Sequence, residues 1–408
     1  MVNKKKIFND PIYGFISIPH ELILDLIDHR YFQRLRRIKQ LGLTDFVYPG
    51  ALHTRFHHAL GCTFLMQQAI ASLRQKGHEI TETENIGAII AILLHDIGHG
   101  PFSHALEHTV VQGITHEEIS LLFMQQLNQE FEGQLDTAIA IFNDSYPKKF
   151  LHQLVSSQLD IDRLDYLKRD SFYSGVSEGI VSSERIIDML DVVNDNLVIQ
   201  QKGIYSVEKF IVARRLMYWQ VYLHKTVISA EFMLVKILER AKLLTGQGEN
   251  LFCSEVLKFF LYNQIDKNDF QEQSALDQFA KLDDYDLMGA IKVWSEHSDK
   301  LLRFLCKAIV NRTLFKVIIS KEPFDDEIEN KIVQQVMDTY GMNRAEAASI
   351  IINEEVANNA YNSAYDSINV LFKNGEVKDI ADASDNLNIQ TLASPVRKYF
   401  MCHPLLSS

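Results

Sequence analysis

The sequence lacks the features that mark several protein classes. No apolar run reaches the roughly 20 residues of a membrane-spanning helix. The opening Met1-Val2-Asn3-Lys4-Lys5-Lys6-Ile7-Phe8 is basic, but no apolar core or small-residue cleavage site follows, so no signal peptide is expected. Cysteine is scarce: Cys62, Cys253, Cys306 and Cys402 are widely scattered without CxxC spacing. That excludes a disulfide framework and points to thiols of a cytoplasmic protein. A basic excess is also missing, since 41 Lys and Arg face 53 Asp and Glu for a net charge of -12. Bulk nucleic-acid binding is therefore not expected, and any anionic ligand must be caught by a local cluster of Arg and Lys.

What is present is an ordinary globular balance, 47% hydrophobic and 23% charged over 408 residues. That length allows two or three domains, or one large core with an appended lobe. Residues 6 to 19 alternate and carry two prolines and a glycine, which predicts extended or hairpin structure. Helical spacing of apolar residues then runs from His20 to Leu41, again to about Arg74, and through 134–173. Thr115-His116-Glu117-Glu118 reads as a capping box opening another helix. A short hairpin is expected over 197–205 with its turn near Gly203, and one long helix over roughly 206–244. Beyond Gly246 strand signals appear at 314–319 and at 368–377, where Asn374-Gly375 predicts a type I′ turn. The fold class expected is mainly α, with a core over 1–245 and a smaller α+β lobe over 246–408.

Chemistry concentrates around Ala91-Ile92-Leu93-Leu94-His95-Asp96-Ile97-Gly98-His99-Gly100-Pro101-Phe102-Ser103-His104. Residues 86 to 94 are almost wholly apolar and read as a buried helix that delivers His95 and Asp96 at its end. An adjacent imidazole and carboxylate suit Mn, Fe, Zn or Mg, but two ligands do not hold a catalytic metal. Two other stretches offer the remainder: Arg55-Phe56-His57-His58, and the carboxylates of Asp160-Ile161-Asp162-Arg163-Leu164-Asp165-Tyr166.

This set, His53-Thr54-Arg55-Phe56-His57-His58 before Gly61, then His95-Asp96 with Gly98-His99-Gly100-Pro101-Phe102-Ser103-His104, then Asp160 to Tyr166, resembles the HD-domain phosphohydrolases. More narrowly it is similar to their deoxynucleoside triphosphate triphosphohydrolase branch, over about residues 1–235. The resemblance implies an HD-domain helical core and hydrolysis of deoxynucleoside triphosphates to deoxynucleoside and inorganic triphosphate. It implies one divalent metal per active site (Mn, Mg, Fe, Co, Ni or Zn) on His58, His95, Asp96 and Asp162, with His57 and Asp160 as competing neighbours. His104 would be the general acid, oriented by His116 and Glu117, with Glu107 where the family commonly has an aspartate, and His99 facing the phosphates. Arg55, Arg163, Tyr166 and Arg214 would contact phosphates, and Gln40, Leu41, Asp170 and Tyr222 would enclose the sugar. Leu223 departs from a polar glutamine in the vertebrate branch.

The family's guanine-nucleotide activator site would fall on Lys6, Asn9, Asp28, Gln33 and Arg36, within a regulatory segment 1–45. There Asp28 would accept from the guanine N1 and exocyclic amine, and Arg36 would donate to O6 and N7. A homo-oligomer, dimer or tetramer, goes with that site. Other readings of the same motifs are a phosphohydrolase of a monophosphate or signalling nucleotide, and a nucleotide sensor that keeps the metal for structure.

Overall fold

The structure is a computed structural model that describes residues 6–102, 111–358, 361, 367–385 and 396–406. It is mainly helical, with strands in the C-terminal lobe. The chain opens on an antiparallel hairpin, Ile7–Asp10 with Gly14–Ser17. The helix Glu21–Asp28 and the short helical turns Arg30–Gln33 and Arg34–Arg37 follow.

The core is built on two long helices. Arg55–Gln75 starts where the Thr54 N–H donates to His57 Nδ1 at 3.1 Å. Glu82–Leu94 starts from a reciprocal Thr81–Glu84 capping box. Its residues Ala88 to Leu94 are all at most 1% exposed, so the C-terminal half of this helix is enclosed on every side. It packs between Arg55–Gln75 and Asp136–Phe142. A helix with no polar face has no solvent-facing solution, and that forces its polar C-terminal end into the interior as well.

Helix His116–Glu130 begins at the Thr115–Glu118 box expected from the sequence. Helix Ile161–Ser174 is capped by Asp160, whose carboxylate accepts the Arg163 N–H at 2.8 Å. The long helix expected over 206–244 is two helices. Ile204–Met217 continues into a wider π turn, Tyr218–Tyr222, closed by the Leu223 N–H donating to the Tyr218 carbonyl at 2.7 Å. His224 then caps Lys225–Gly246 through its ring nitrogen. Apolar periodicity persists across this junction, so spacing alone does not register the break.

Two hairpins differ from expectation in their turns. The first pairs Leu190–Val193 with Asn196–Gln200, and its turn is Asn194-Asp195, both at positive φ (49° and 65°), not a turn near Gly203. Gly203 instead ends a 3-10 turn before the next helix. The second, Asn369–Leu371 with Val377–Asp379, falls where expected. Its Gly375 N–H donates to the Phe372 carbonyl, and Gly375 takes φ +85° while Asn374 does not take positive φ. That is a type I turn followed by a left-handed glycine rather than type I′.

Asn369–Leu371 also joins Asn196–Gln200 in parallel, so one four-stranded sheet contains residues from both sides of position 245. A second sheet, Lys316–Ser320, Val396–His403 and Ile352–Asn358, is antiparallel and belongs to the C-terminal lobe. Among the described residues no helix is long and apolar enough to cross a membrane.

Candidate metal centre and phosphate pocket

The buried helix Glu82–Leu94 ends by bringing His95 and Asp96 beside His58, from the first turn of Arg55–Gln75, and Asp162, from the first turn of Ile161–Ser174. His58 Nε2 lies 3.0 Å from Asp162 Oδ1 and 3.8 Å from Asp96 Oδ2. His95 Nε2 lies 3.3 Å from Asp96 Oδ1 and 3.5 Å from Asp162 Oδ1. The other nitrogen of each ring is committed to an acceptor: His58 Nδ1 donates to Asp165 Oδ2 at 2.8 Å and His95 Nδ1 to the Ile92 carbonyl at 2.7 Å. In the neutral rings both Nε2 atoms therefore present lone pairs, and they face carboxylate oxygens that also only accept. His95 Nε2 is buried and makes no hydrogen bond of good geometry among the described residues. A divalent cation would satisfy this convergence, and an imidazole–carboxylate set suits Mn, Fe, Zn or Mg.

The neighbours that competed with these residues in the sequence are occupied elsewhere. His57 is bound to Thr54 at the helix start. Asp160 accepts backbone N–H groups of Ser157 and Arg163 and pairs with the Arg163 guanidinium. Cys62 Sγ lies 3.6 Å from both His58 ring nitrogens, against the ring rather than along the Nε2 lone pair. Burial pushes its thiol up.

Charge is arranged around the cluster. Arg55 Nη1 donates to Asp96 Oδ2 at 2.6 Å. Burial would raise the Asp162 carboxyl, but the imidazoles of His58 and His95 beside it hold it well below the usual carboxylate range. Asp165 is likewise penalised by burial, yet Arg169 and His58 bring it down to about 2. Burial, aided by Arg55, lowers His99 to about 3. His99 Nε2 lies 3.3 Å from Asp96 Oδ1, and its ring stacks on His116 at 3.8 Å between centroids. His116 Nε2 is 3.2 Å from Glu117 Oε1. His104 and Glu107 lie outside the described residues.

Further along, Arg163 also donates to the Ser157 carbonyl at 2.5 Å. Tyr166 is flanked by Arg163 and Arg214, and its ring meets Tyr222 edge-on at 6.1 Å. Tyr222 donates to Asp170 Oδ2 at 2.8 Å, and His53 holds the other oxygen at 2.7 Å. The Gln40 N–H donates to the His53 carbonyl, so Gln40 and Leu41 join the same wall, and Gln40 Oε1 is buried with no hydrogen-bond partner among the described residues. The π turn fixes Tyr222, and Tyr48 secures that turn by donating to the Gln220 carbonyl at 2.6 Å. Sequence reasoning assigned no role to His53, Asp165 or Arg169. The first falls inside a motif already singled out, and Asp165 and Arg169 are an i, i+4 pair on the helix bearing Asp162.

At the N-terminus, Lys6 Nζ pairs with Asp28 at 2.7 Å. Gln33 donates to the Ile27 carbonyl and accepts from Arg36 Nε at 2.9 Å, while the Arg36 guanidinium covers the Phe56 ring at 3.5 Å. Asn9 is exposed on the adjoining strand.

The HD domain family matches residues 55–170, and the HD associated region matches 181–250. The chain is 36% identical over 324 residues to an uncharacterized Bacillus subtilis protein, YwfO, covering 78% of this chain and 72% of that one. It is an HD-domain phosphohydrolase. A solved structure of a phosphohydrolase from Bacteroides thetaiotaomicron superposes on this HD protein with a TM-score of 0.95 at 53% identity, covering 98% of this chain and all of that one. The Dictyostelium discoideum homologue of the deoxynucleoside triphosphate triphosphohydrolase SAMHD1 is 35% identical over 255 residues, which cover 58% of this chain and 49% of that relative.

Proposed function

We propose that the protein hydrolyses deoxynucleoside triphosphates to deoxynucleoside and inorganic triphosphate, with one divalent metal on His58, His95, Asp96 and Asp162. The observation that carries the reading is the meeting of four acceptor groups, His58 Nε2, His95 Nε2, Asp96 and Asp162, next to Arg55. When bound, the metal supplies charge for a phosphate oxygen and acidifies water. Arg55, Arg163, Tyr166 and Arg214 neutralise and orient the phosphate chain, which places the α-phosphorus for in-line attack. His99, kept neutral, donates or accepts a hydrogen bond without adding charge, and His116 and Glu117 orient the acid assigned to His104. The departing 5′ oxygen takes a proton from that acid. Asp170 and Tyr222, braced by His53, enclose the sugar on the side opened by Gln40 and Leu41.

A guanine nucleotide at Lys6, Asn9, Asp28, Gln33 and Arg36, in a homo-oligomer, is the regulatory part of the proposal. The clustering of Lys6 with Asp28 and of Gln33 with Arg36 supports it. The test is hydrolysis of each dNTP and rNTP with Mn, Mg or Co, alone and mixed with GTP or dGTP, with products resolved chromatographically. Intact triphosphate plus deoxynucleoside is expected. Orthophosphate or pyrophosphate as product would overturn the reaction assigned, and turnover indifferent to guanine nucleotide would remove the regulatory part.

A further inference from the structure

The loop after helix Glu82–Leu94 is tied down through its backbone by residues remote in sequence. The fully buried Arg34 guanidinium donates through Nη2 to the Ile97 carbonyl at 2.8 Å and the His99 carbonyl at 2.7 Å. Its Nη1 reaches the Leu282 carbonyl at 3.4 Å. Its faces lie over the rings of Phe123 and Phe279, 5.5 and 5.0 Å from their centroids. Asp284, 4% exposed, accepts the Phe102 N–H at 3.3 Å on one oxygen and the Lys39 N–H at 2.9 Å on the other. Between these anchors, Ser120 accepts the Gly98 N–H at 2.8 Å and donates to the His95 carbonyl at 2.7 Å.

Such a grip needs a reason beyond stability. A guanidinium removed from water toward neutral carbonyls and aromatic faces is costly, and burial, with Arg55 nearby, lowers Arg34 to about 9. An apolar side chain of similar length fills the same volume without that cost. What the guanidinium adds is geometry: a single nitrogen, Nη2, of a rigid planar group fixes two carbonyls on either side of Gly98, which sets where the backbone carries the His99 ring.

We propose that Arg34 and Asp284 are positioning residues: Arg34 fixes the Ile97 and His99 carbonyls, and Asp284 fastens Phe102 to Lys39, so that His95, Asp96 and His99 hold their mutual geometry. Leu282 and Asp284 of the C-terminal lobe thereby take part in the active site without touching substrate. The inference rests on the reading of this loop as catalytic.

The test uses the full chain with Arg34→Met, Arg34→Lys and Asp284→Asn, and Arg397→Met as a control at an exposed pair with Glu355. With Mn and dGTP, Arg34→Met and Asp284→Asn should each lower kcat by roughly 10²-fold with KM within about threefold of wild type, and Arg34→Lys should recover part of the loss. Amide hydrogen exchange in the 95–102 peptide should accelerate roughly tenfold, while the Lys225–Gly246 helix and the control stay as wild type. Unchanged kcat and unchanged loop exchange would overturn the proposal, as would exchange rising equally along the whole chain. If wild type releases no triphosphate from any dNTP, the proposed function fails by itself, and loop exchange still decides the clamp. If Arg34→Met does not fold, Asp284→Asn, which keeps the side-chain volume, carries the same decision.

Discussion

His58 Nδ1 donates to Asp165 Oδ2 at 2.8 Å, and the same carboxylate is gripped by Arg169 through two nitrogens. Asp165 thus has no freedom to rotate, and it fixes which His58 nitrogen carries the proton and which turns a lone pair into the cluster with His95, Asp96 and Asp162. Replacing Asp165 by Asn removes charge and leaves the amide two competing orientations. Mn titrated into metal-free Asp165→Asn by calorimetry should bind about 10–100-fold more weakly than in wild type. Wild-type affinity would show that the outer carboxylate does not prepare the ligand.

Gly98 is closely packed against backbone. A Cβ there would lie 2.1 Å from the His116 carbonyl oxygen and 2.3 Å from the Ser120 nitrogen. Neither can step aside without moving the start of helix His116–Glu130 and with it the His99–His116 stack. Gly98→Ala should lose about 1–3 kcal/mol of stability in urea unfolding. Turnover should fall further than that loss explains. A variant with native stability would mean the two backbones separate freely.

The motifs disclosed the cluster of His58, His95, Asp96 and Asp162 because its residues come from three short stretches whose types are unusual beside apolar helix. The buried helix was equally legible, since continuous apolar sequence allows few other placements. What escaped was decided by distance in space. Nothing near Arg34 in the sequence foretells a partner at Leu282, and nothing near Asp284 foretells partners at Lys39 and Phe102. Turn details were lost for a different reason: Asn194-Asp195 satisfies type I′ without glycine, while Asn374-Gly375 belongs to a loop one residue longer than its dipeptide suggests. The π turn at Tyr218–Tyr222 shifts Tyr222 toward Asp170 without altering the apolar rhythm.

Glu231, on helix Lys225–Gly246 near Gly42, is raised by burial from the ordinary 4.5 to about 7. The folded state therefore holds a proton that the unfolded chain releases. Its contribution to stability is fully present below about pH 4.5 and is lost as pH rises through about 7. The loss across that window is on the order of 3 kcal/mol. Glu231→Gln should flatten this part of the stability–pH curve, measured by urea unfolding between pH 5 and pH 8. Parallel curves for the two proteins would mean that Glu231 is ionised throughout.

Tyr222 and His53 divide the two oxygens of Asp170, which is 1% exposed, so the carboxylate is held in one plane and the phenol ring is held against it. Tyr222→Phe removes one donor but keeps the ring. Tyr222→Ala removes the ring as well. If the ring itself excludes a 2′-hydroxyl, the phenylalanine variant should keep the preference for deoxynucleotides while losing some turnover. The alanine variant should hydrolyse GTP relative to dGTP about tenfold better than wild type, judged by the ratio of kcat/KM values. A change of the same size in Tyr222→Phe would place the discrimination in the hydrogen bond to Asp170 instead, because that variant alters the bond and leaves the space unchanged.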